Sequence, residues 1–380
     1  MRGIRIHRLI PVLFLTLGSC GGGESGSALQ AILKNASERL ATGDPASALP
    51  SLQDAIQKHP ENIPLRFLLA DAYIGIGNLD LALQHLREVN RQDPQAPTLH
   101  RRIGSLLARQ GNFEQAVREM EIEIATHPGD WLSLYNLGSF YINARMPELA
   151  IPRLEAAAGL RPEHAETHYL LGLLYYQTED YQRSEKEFRI ALEAEPKQFE
   201  THLGLAKIHE ATGNFAAAVE EYLTAIRLDP RNAGLHAEMG KFFFRSMQLV
   251  PAAEQFRKAL EIDPDHRGSL MRLGRINKLE SRYEEALETF LRILERNPED
   301  ALAIYYVGTI YLDRGNFPQA EKILRKSLAL DPHNPKARYS LGATLVALDR
   351  EEEADREFAL HRKIMALKPR VEPVARGGDE

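Results

Sequence analysis

The chain has 380 residues, a formal charge of −6, 44% hydrophobic and 26% charged residues, 21 prolines and one cysteine. This mixture excludes a collagenous or wholly disordered chain, and a single cysteine excludes an internal disulfide framework or a multi-thiolate zinc site. The acidic balance argues against nucleic acid as a partner, and the usual estimate of about 100 to 200 residues per domain applies only if the chain does not repeat.

Residues 1–19 carry Arg2, Arg5 and Arg8, no acid, and an apolar run from Leu9 to Leu17. Charge followed by an apolar run is the order of an export signal. Nine apolar residues are too few for a bilayer, which needs about 20. The run ends in Leu17-Gly18-Ser19-Cys20, which resembles the lipobox of bacterial lipoproteins. That resemblance implies a diacylglyceryl group on the Cys20 thiol, cleavage before it and acylation of the new amino terminus. A single myristoyl chain binds a membrane only marginally, at about 0.8 kcal/mol per buried methylene, whereas several chains anchor stably. A plain secretory signal and an Arg-rich transit peptide are the alternatives. Residues 20–28 are rich in Gly and Ser and are expected to form a flexible tether. No acidic residue follows Cys20 directly, so enterobacterial sorting rules would imply the outer membrane ahead of the inner.

From residue 29 the chain repeats. Pro60, Pro94, Pro128, Pro162, Pro196, Pro230, Pro264, Pro298 and Pro332 each stand 34 residues after the last. The chance of this spacing is on the order of 10^-10. Ten repeats start at residues 29, 63, 97, 131, 165, 199, 233, 267, 301 and 335 and span 29–368, followed by a tail at 369–380 expected to be disordered. The eighth position of every repeat is Gly or Ala, and the twentieth is Ala except for Ser184. Small residues twelve apart suit two antiparallel helices at their closest approach, where a larger side chain would overpack at about 1–3 kcal/mol. Between them, Gly77-Asn78, Gly111-Asn112, Gly213-Asn214 and Gly315-Asn316 read as a left-handed helix end followed by a helix cap. Apolar residues recur at helical spacing on both sides.

This pattern resembles the tetratricopeptide repeat (TPR) family across residues 29–368. The resemblance implies an all-α solenoid of about ten helix-turn-helix repeats, wound into a right-handed superhelix with a concave groove. Asn35 and Arg39 in the first repeat stand where other repeats carry apolar residues, and Arg350 and His361 stand at late positions of the last; both ends read as polar caps of the terminal repeats. Glu123 replaces the Ala of other repeats, so that contact is either loosened or the carboxylate finds a partner.

No HExxH, GxSxG or Walker signature is present, and neither an enzyme nor a cofactor is expected. His100, His168, His202 and His236 share the fourth position of their repeats. Stacked helices lie about 8–10 Å apart, too far for shared metal bonds of about 2 Å, so no metal site is expected. In the family, positions 2, 5, 9, 12 and 13 line the groove. Carried over, they place Arg101, Arg109, Lys207, Lys241, Arg245, Arg275 and Lys278 there, with Glu200 and Glu210 opposing. Phe67, Tyr135, Tyr169, Tyr176, Phe244, Tyr305 and Tyr339 fall on the same surface. The residues of the chaperone-tail carboxylate clamp are not reproduced by Asn136 and Asn143.

These positions point to a basic, aromatic groove for an acidic or carboxylate-bearing extended protein segment. The bland alternative is a solvated face whose charges balance. The expected function is a non-catalytic protein-interaction scaffold in a bacterial cell envelope. It would face the periplasm or the cell surface, lipid-anchored at Cys20. TPR lipoproteins of this kind serve outer-membrane protein assembly, pilus assembly, exopolysaccharide export or peptidoglycan enzyme regulation. A glycan- or exopolysaccharide-handling accessory protein is the second expectation. Cleavage before Cys20 removes three arginines and no acid, taking the charge from −6 to −9.

Overall fold

The computed structural model describes residues 24–367; the signal segment, Cys20 and the tail at 369–380 lie outside the described residues. Twenty α-helices and no strand occur among the described residues. The chain divides between Pro196 and Lys197 into two compact halves. In a stack where each helix pair touches only its neighbours, such a division falls on a pair boundary. The N-terminal half holds α1 (Glu24–Ala41), α2 (Pro45–Lys58), α3 (Ile63–Gly75), α4 (Leu79–Gln92) and α5 (Leu99–Arg109). It continues through α6 (Phe113–Thr126), α7 (Trp131–Asn143), α8 (Pro147–Leu160), α9 (Ala165–Gln177) and α10 (Tyr181–Ala194). The C-terminal half holds α11 (Phe199–Ala211), α12 (Phe215–Leu228), α13 (Ala233–Arg245), α14 (Leu249–Ile262) and α15 (Arg267–Leu279). It ends with α16 (Tyr283–Arg296), α17 (Ala301–Asp313), α18 (Phe317–Leu330), α19 (Pro335–Val346) and α20 (Glu351–Leu367).

Within each pair the eighth position is a notch for a large side chain at position 24. A methyl group added at Gly172 would stand 2.6 Å from the Phe188 ring, and one at Gly240 2.7 Å from that of Phe256. Gly138 meets Leu154 at 2.6 Å in the same way. Leu154, Phe188 and Phe256 are fully buried. Position 20 packs under this contact, and in the one repeat without Ala there, Ser184 donates its hydroxyl to the Gly172 carbonyl at 2.6 Å.

The turn inside each pair is uniform in backbone and varied in sequence. Gly77, Gly111, Gly213 and Gly315 hold φ between 73° and 83°, as the Gly-Asn spelling implies, and Gly43, before Asp44, does the same at 80°. The same position is left-handed in the other five pairs, at Arg145, Glu179, Met247, Ser281 and Asp349, with φ of 57–61°. Asn78, Asn214 and Asn316 cap the second helix through an amide two residues into it, whereas Asn112 makes no side-chain cap bond.

Three local readings change. The tether expected over 20–28 stops short, because α1 already begins at Glu24. Leu29, Ile32 and Leu33 anchor α1 on the core, and an established helix extends at one hydrogen bond per added residue. At the chain ends, Arg39 donates to the Ser47 carbonyl, Arg350 pairs with Glu321 and Glu353, and His361 bonds the Pro335 carbonyl. These side chains are tied inward, and of the four expected cap residues only Asn35 is exposed. Third, α5 starts at Leu99, two residues late. Ala96 stands where most other repeats place Asn, Asp or His, and Pro97 disfavours helical backbone before it. Thr98 is left-handed (φ 69°) and gives α5 no side-chain cap. Glu123, 1% exposed, supplies it by accepting from the Thr98 and Arg101 amides at 2.8 and 3.2 Å. The glutamate is therefore partnered.

Glu123→Ala is expected to lose about 1–3 kcal/mol by stripping two amides of their acceptor, read as a lower urea midpoint with faster hydrogen exchange at Thr98. Conversely, Met247→Gly or Arg145→Gly is expected to stabilise by about 1 kcal/mol, because only glycine adopts this backbone without a side-chain clash. A thermal melt that fails to rise in both variants contradicts this.

Candidate functional site

The fourth-position histidines belong to the scaffold. His100, His168 and His202 each bring Nδ1 to a glutamate on the second helix of their own pair, Glu119, Glu187 and Glu221, at 2.6–2.7 Å. His236 meets Gln255 at 2.8 Å in the same way. The Nε2 atoms of His100 and His168 reach the carbonyls of Pro94 and Pro162 at 3.0 and 2.9 Å. Arg338 reproduces the arrangement with the Pro332 carbonyl and Glu357. His100, His168 and Arg338 thus join the proline that ends one repeat to both helices of the next.

The other candidate residues lie on the first helices. In the N-terminal half, Arg101 donates to Asp130 at 2.8 Å, while Arg109 at the end of α5 is exposed. Arg102 pairs with Asp71 and lies over the Phe67 ring, 4.7 Å from its centroid. Tyr135 is 8% exposed. It packs between Trp131 and His164, and burial with the nearby Glu166 carboxylate pushes its hydroxyl pKa up to about 12. It is a core side chain and offers no contact surface. Tyr169 and Tyr176 are half-buried, with rings 5.9 Å from Phe188 and 5.8 Å from Tyr181.

In the C-terminal half the expected basic row is interleaved with acids. Lys207 lies 3.8 Å from Glu238, which also accepts from Lys241. Arg245 makes a two-pronged contact with Glu210 at 2.7 and 2.8 Å, and Lys278 meets Asp313 at 2.6 Å. Arg275 instead lies over aromatic rings, 5.0 Å from the Phe244 centroid and 5.8 Å from that of Tyr306. Tyr305 is half-buried against Tyr306, and Tyr339 is exposed beside Phe358 and His361. In this half most of the expected groove cations are therefore paired with acids, Glu238 and Asp313 as well as the Glu210 that the sequence already set against them.

Position six was missing from the sequence-derived set. Glu238, Arg272 and Tyr306 occupy it; Glu238 pairs with Lys207 and Lys241, and Arg275 lies over the Tyr306 ring. The available signal was helical spacing: position six lies four residues after two and three before nine, on the same stripe. Burial first, then the Arg275 and Arg245 charges, holds the Arg272 guanidinium below its ordinary value.

Stacked helix pairs that expose a row of side chains from each first helix define an all-α repeat solenoid, a class of protein-interaction scaffold. Family comparisons agree. Two models described as tetratricopeptide repeat match residues 39–101 and, in overlapping stretches, 101–151, 141–188 and 169–233. The middle TPR-like domain of cilia and flagella-associated protein 70 matches 202–303, and subunit 3 of the anaphase-promoting complex matches 280–358. The chain belongs to the tetratricopeptide repeat family.

A TPR and J domain-containing co-chaperone of Cryptococcus neoformans is 31% identical over 128 residues, which is 33% of this chain and 24% of that protein. The chain thus matches about a quarter of that relative's length. The C-terminal part of a TPR repeat-containing protein from Cytophaga hutchinsonii superposes with a TM-score of 0.53 at 17% identity, covering 63% of this chain and 99% of that one. A TPR protein from Parabacteroides merdae covers 68% of this chain and 98% of its own, with a TM-score of 0.48 at 21% identity.

The Arg245–Glu210 pair is partly exposed, and a double-mutant cycle is expected to give a coupling of about 0.5–1 kcal/mol that shrinks as salt is raised. Glu210→Ala should cost more than Arg245→Ala, since Glu210 also accepts the hydroxyl of buried Tyr222 at 3.3 Å. Equal single-variant costs in urea melts contradict this.

Proposed function

We propose that the chain is a non-catalytic scaffold, anchored to a bacterial envelope membrane through lipid on Cys20, that holds partner proteins on its first-helix face. The observation that carries this reading is the row of charged and aromatic side chains that successive first helices present, from Arg101 and Tyr169 to Arg275, Lys278 and Tyr305. Such rows suit an extended segment, because each repeat offers one set of contacts and the sets recur along the stack. Among the described residues no helix is long and apolar enough to cross a membrane. Attachment in this reading rests on the lone cysteine at the signal junction, with the Gly-rich stretch after it as tether. The partners are envelope proteins of a secretion or assembly pathway.

Two experiments test this. Cys20→Ala should move the protein from the membrane to the soluble fraction of lysed cells, and unchanged membrane association removes the anchor. A photocrosslinking residue in place of Tyr305 or Tyr169 should capture protein partners in intact cells. Crosslinks confined to polysaccharide would instead make it a glycan-handling accessory protein.

A further inference from the structure

Six Lys and Arg stand at positions six, nine, twelve and thirteen of α11, α13 and α15, and two of them lack an ion pair with the described residues. Lys207, Lys241, Arg245 and Lys278 each have a carboxylate of this chain within 4.0 Å. Arg272 and Arg275, one turn apart on α15, have none among the described residues. Glu238 is the acid that acts on Arg272, and it is engaged by Lys241 and Lys207. Four cations, Lys207, Lys241, Arg245 and Arg272, thus share two carboxylates, Glu210 and Glu238, with the Arg275 charge acting on Arg272 beside them, in a chain whose overall charge is negative.

Both guanidiniums are placed for a ligand. Arg275 is held over Phe244 from α13 and Tyr306 from α17, an arrangement that fixes its plane and leaves its N–H edge without a carboxylate partner. Arg272 lines a pocket of about 120 Å³ between α13 and α15, shared with Lys241, Glu238, Phe256, Gly234 and Gly268. The two glycines stand at position two of successive repeats, where other repeats carry Leu132, Glu166, Glu200 or Leu302. Neither has a left-handed backbone, and a methyl group there would meet only its own cap residue, Asn232 at 3.0 Å or His266 at 3.3 Å. Glycine is among the least favourable residues inside a helix, and no interhelical contact requires it at these positions. Its effect is an open pocket beside Arg272.

We propose that Arg272 and Arg275 form a carboxylate-binding point on the first-helix face, which takes an Asp or Glu side chain of a bound protein segment and seats the flanking apolar side chain against Phe244 and Tyr306. A guanidinium matches a planar carboxylate through two parallel N–H···O bonds. A small positive island in an acidic body suits an isolated carboxylate and repels a polyanion. The proposal rests on the groove reading above and names the chemistry that reading leaves open.

The test uses the chain from Cys20 to Glu380 with labelled arginine Nε and an end-capped probe peptide, Leu-Phe-Glu-Leu-Ala, beside the same peptide with Gln for Glu. The Glu peptide should bind at least 5-fold more tightly and shift the Arg272 and Arg275 signals. Arg272→Gln with Arg275→Gln should abolish the Glu-over-Gln preference without lowering the melting temperature. Arg272→Lys with Arg275→Lys should restore part of it, and Lys322→Gln with Lys326→Gln, on α18, should leave it intact. Equal binding of the two peptides, a preference that survives the double Gln variant, or Arg-dependent binding of polygalacturonate or a phosphoserine peptide in place of the Glu peptide overturns the proposal. If Tyr305 crosslinks protein in cells but the probe shows no preference, this inference fails and the groove reading stands; if no first-helix position captures protein, the groove reading fails as well.

Discussion

The fold depends on one contact made inside every helix pair: a large side chain at position 24 filling the notch left by Gly or Ala at position eight. Phe188 against Gly172 and Phe256 against Gly240 leave no room for a further methyl group. The contact sets how closely the two helices approach, and with it the direction in which the pair passes the chain on. Buried rings and leucines supply much of the apolar area, at roughly 25 cal/mol per Å² removed from water. Because each repeat touches only its neighbours, stability accrues pair by pair.

Polar groups join one repeat to the next without interrupting that packing. The proline at position 32 follows the second helix, and in several repeats its carbonyl is met by a His or Arg at position four of the following repeat. His100, His168 and Arg338 meet it, and each also reaches a glutamate on the second helix. Glu123 solves a related problem where the cap residue is missing. Its carboxylate stands at the position-27 site, against the start of the first helix, where Ser327 likewise bonds the Ala301 carbonyl. Small differences of sequence are absorbed locally because the scaffold constrains backbone geometry more tightly than residue identity.

The first-helix face is consequently free of most structural duties and can vary. Its charges settle largely among themselves, as with Arg245 and Glu210 or Lys278 and Asp313. Binding chemistry then concentrates where settlement is incomplete, at Arg272 and Arg275. In a net negative body, a local pair of cations without a carboxylate discriminates by position and not by overall charge.

Periodicity was legible in the sequence because the same steric requirement recurs ten times. Proline every 34 residues and small residues at positions eight and twenty fixed the helix pairs, their order and their family. The four Gly-Asn turns were equally plain, since glycine advertises a left-handed backbone. The same backbone at Arg145, Glu179, Met247, Ser281 and Asp349 was not legible, because there the flanking helices impose a conformation that the residue itself disfavours. Candidate binding positions could be listed by number, yet their state could not. Tyr135 is core because Trp131 and His164 close over it, and Lys241 is neutralised because Glu238 lies one turn away on the same stripe. Which charges remain open is a property of neighbours brought together from different repeats, and only the tertiary structure decides it.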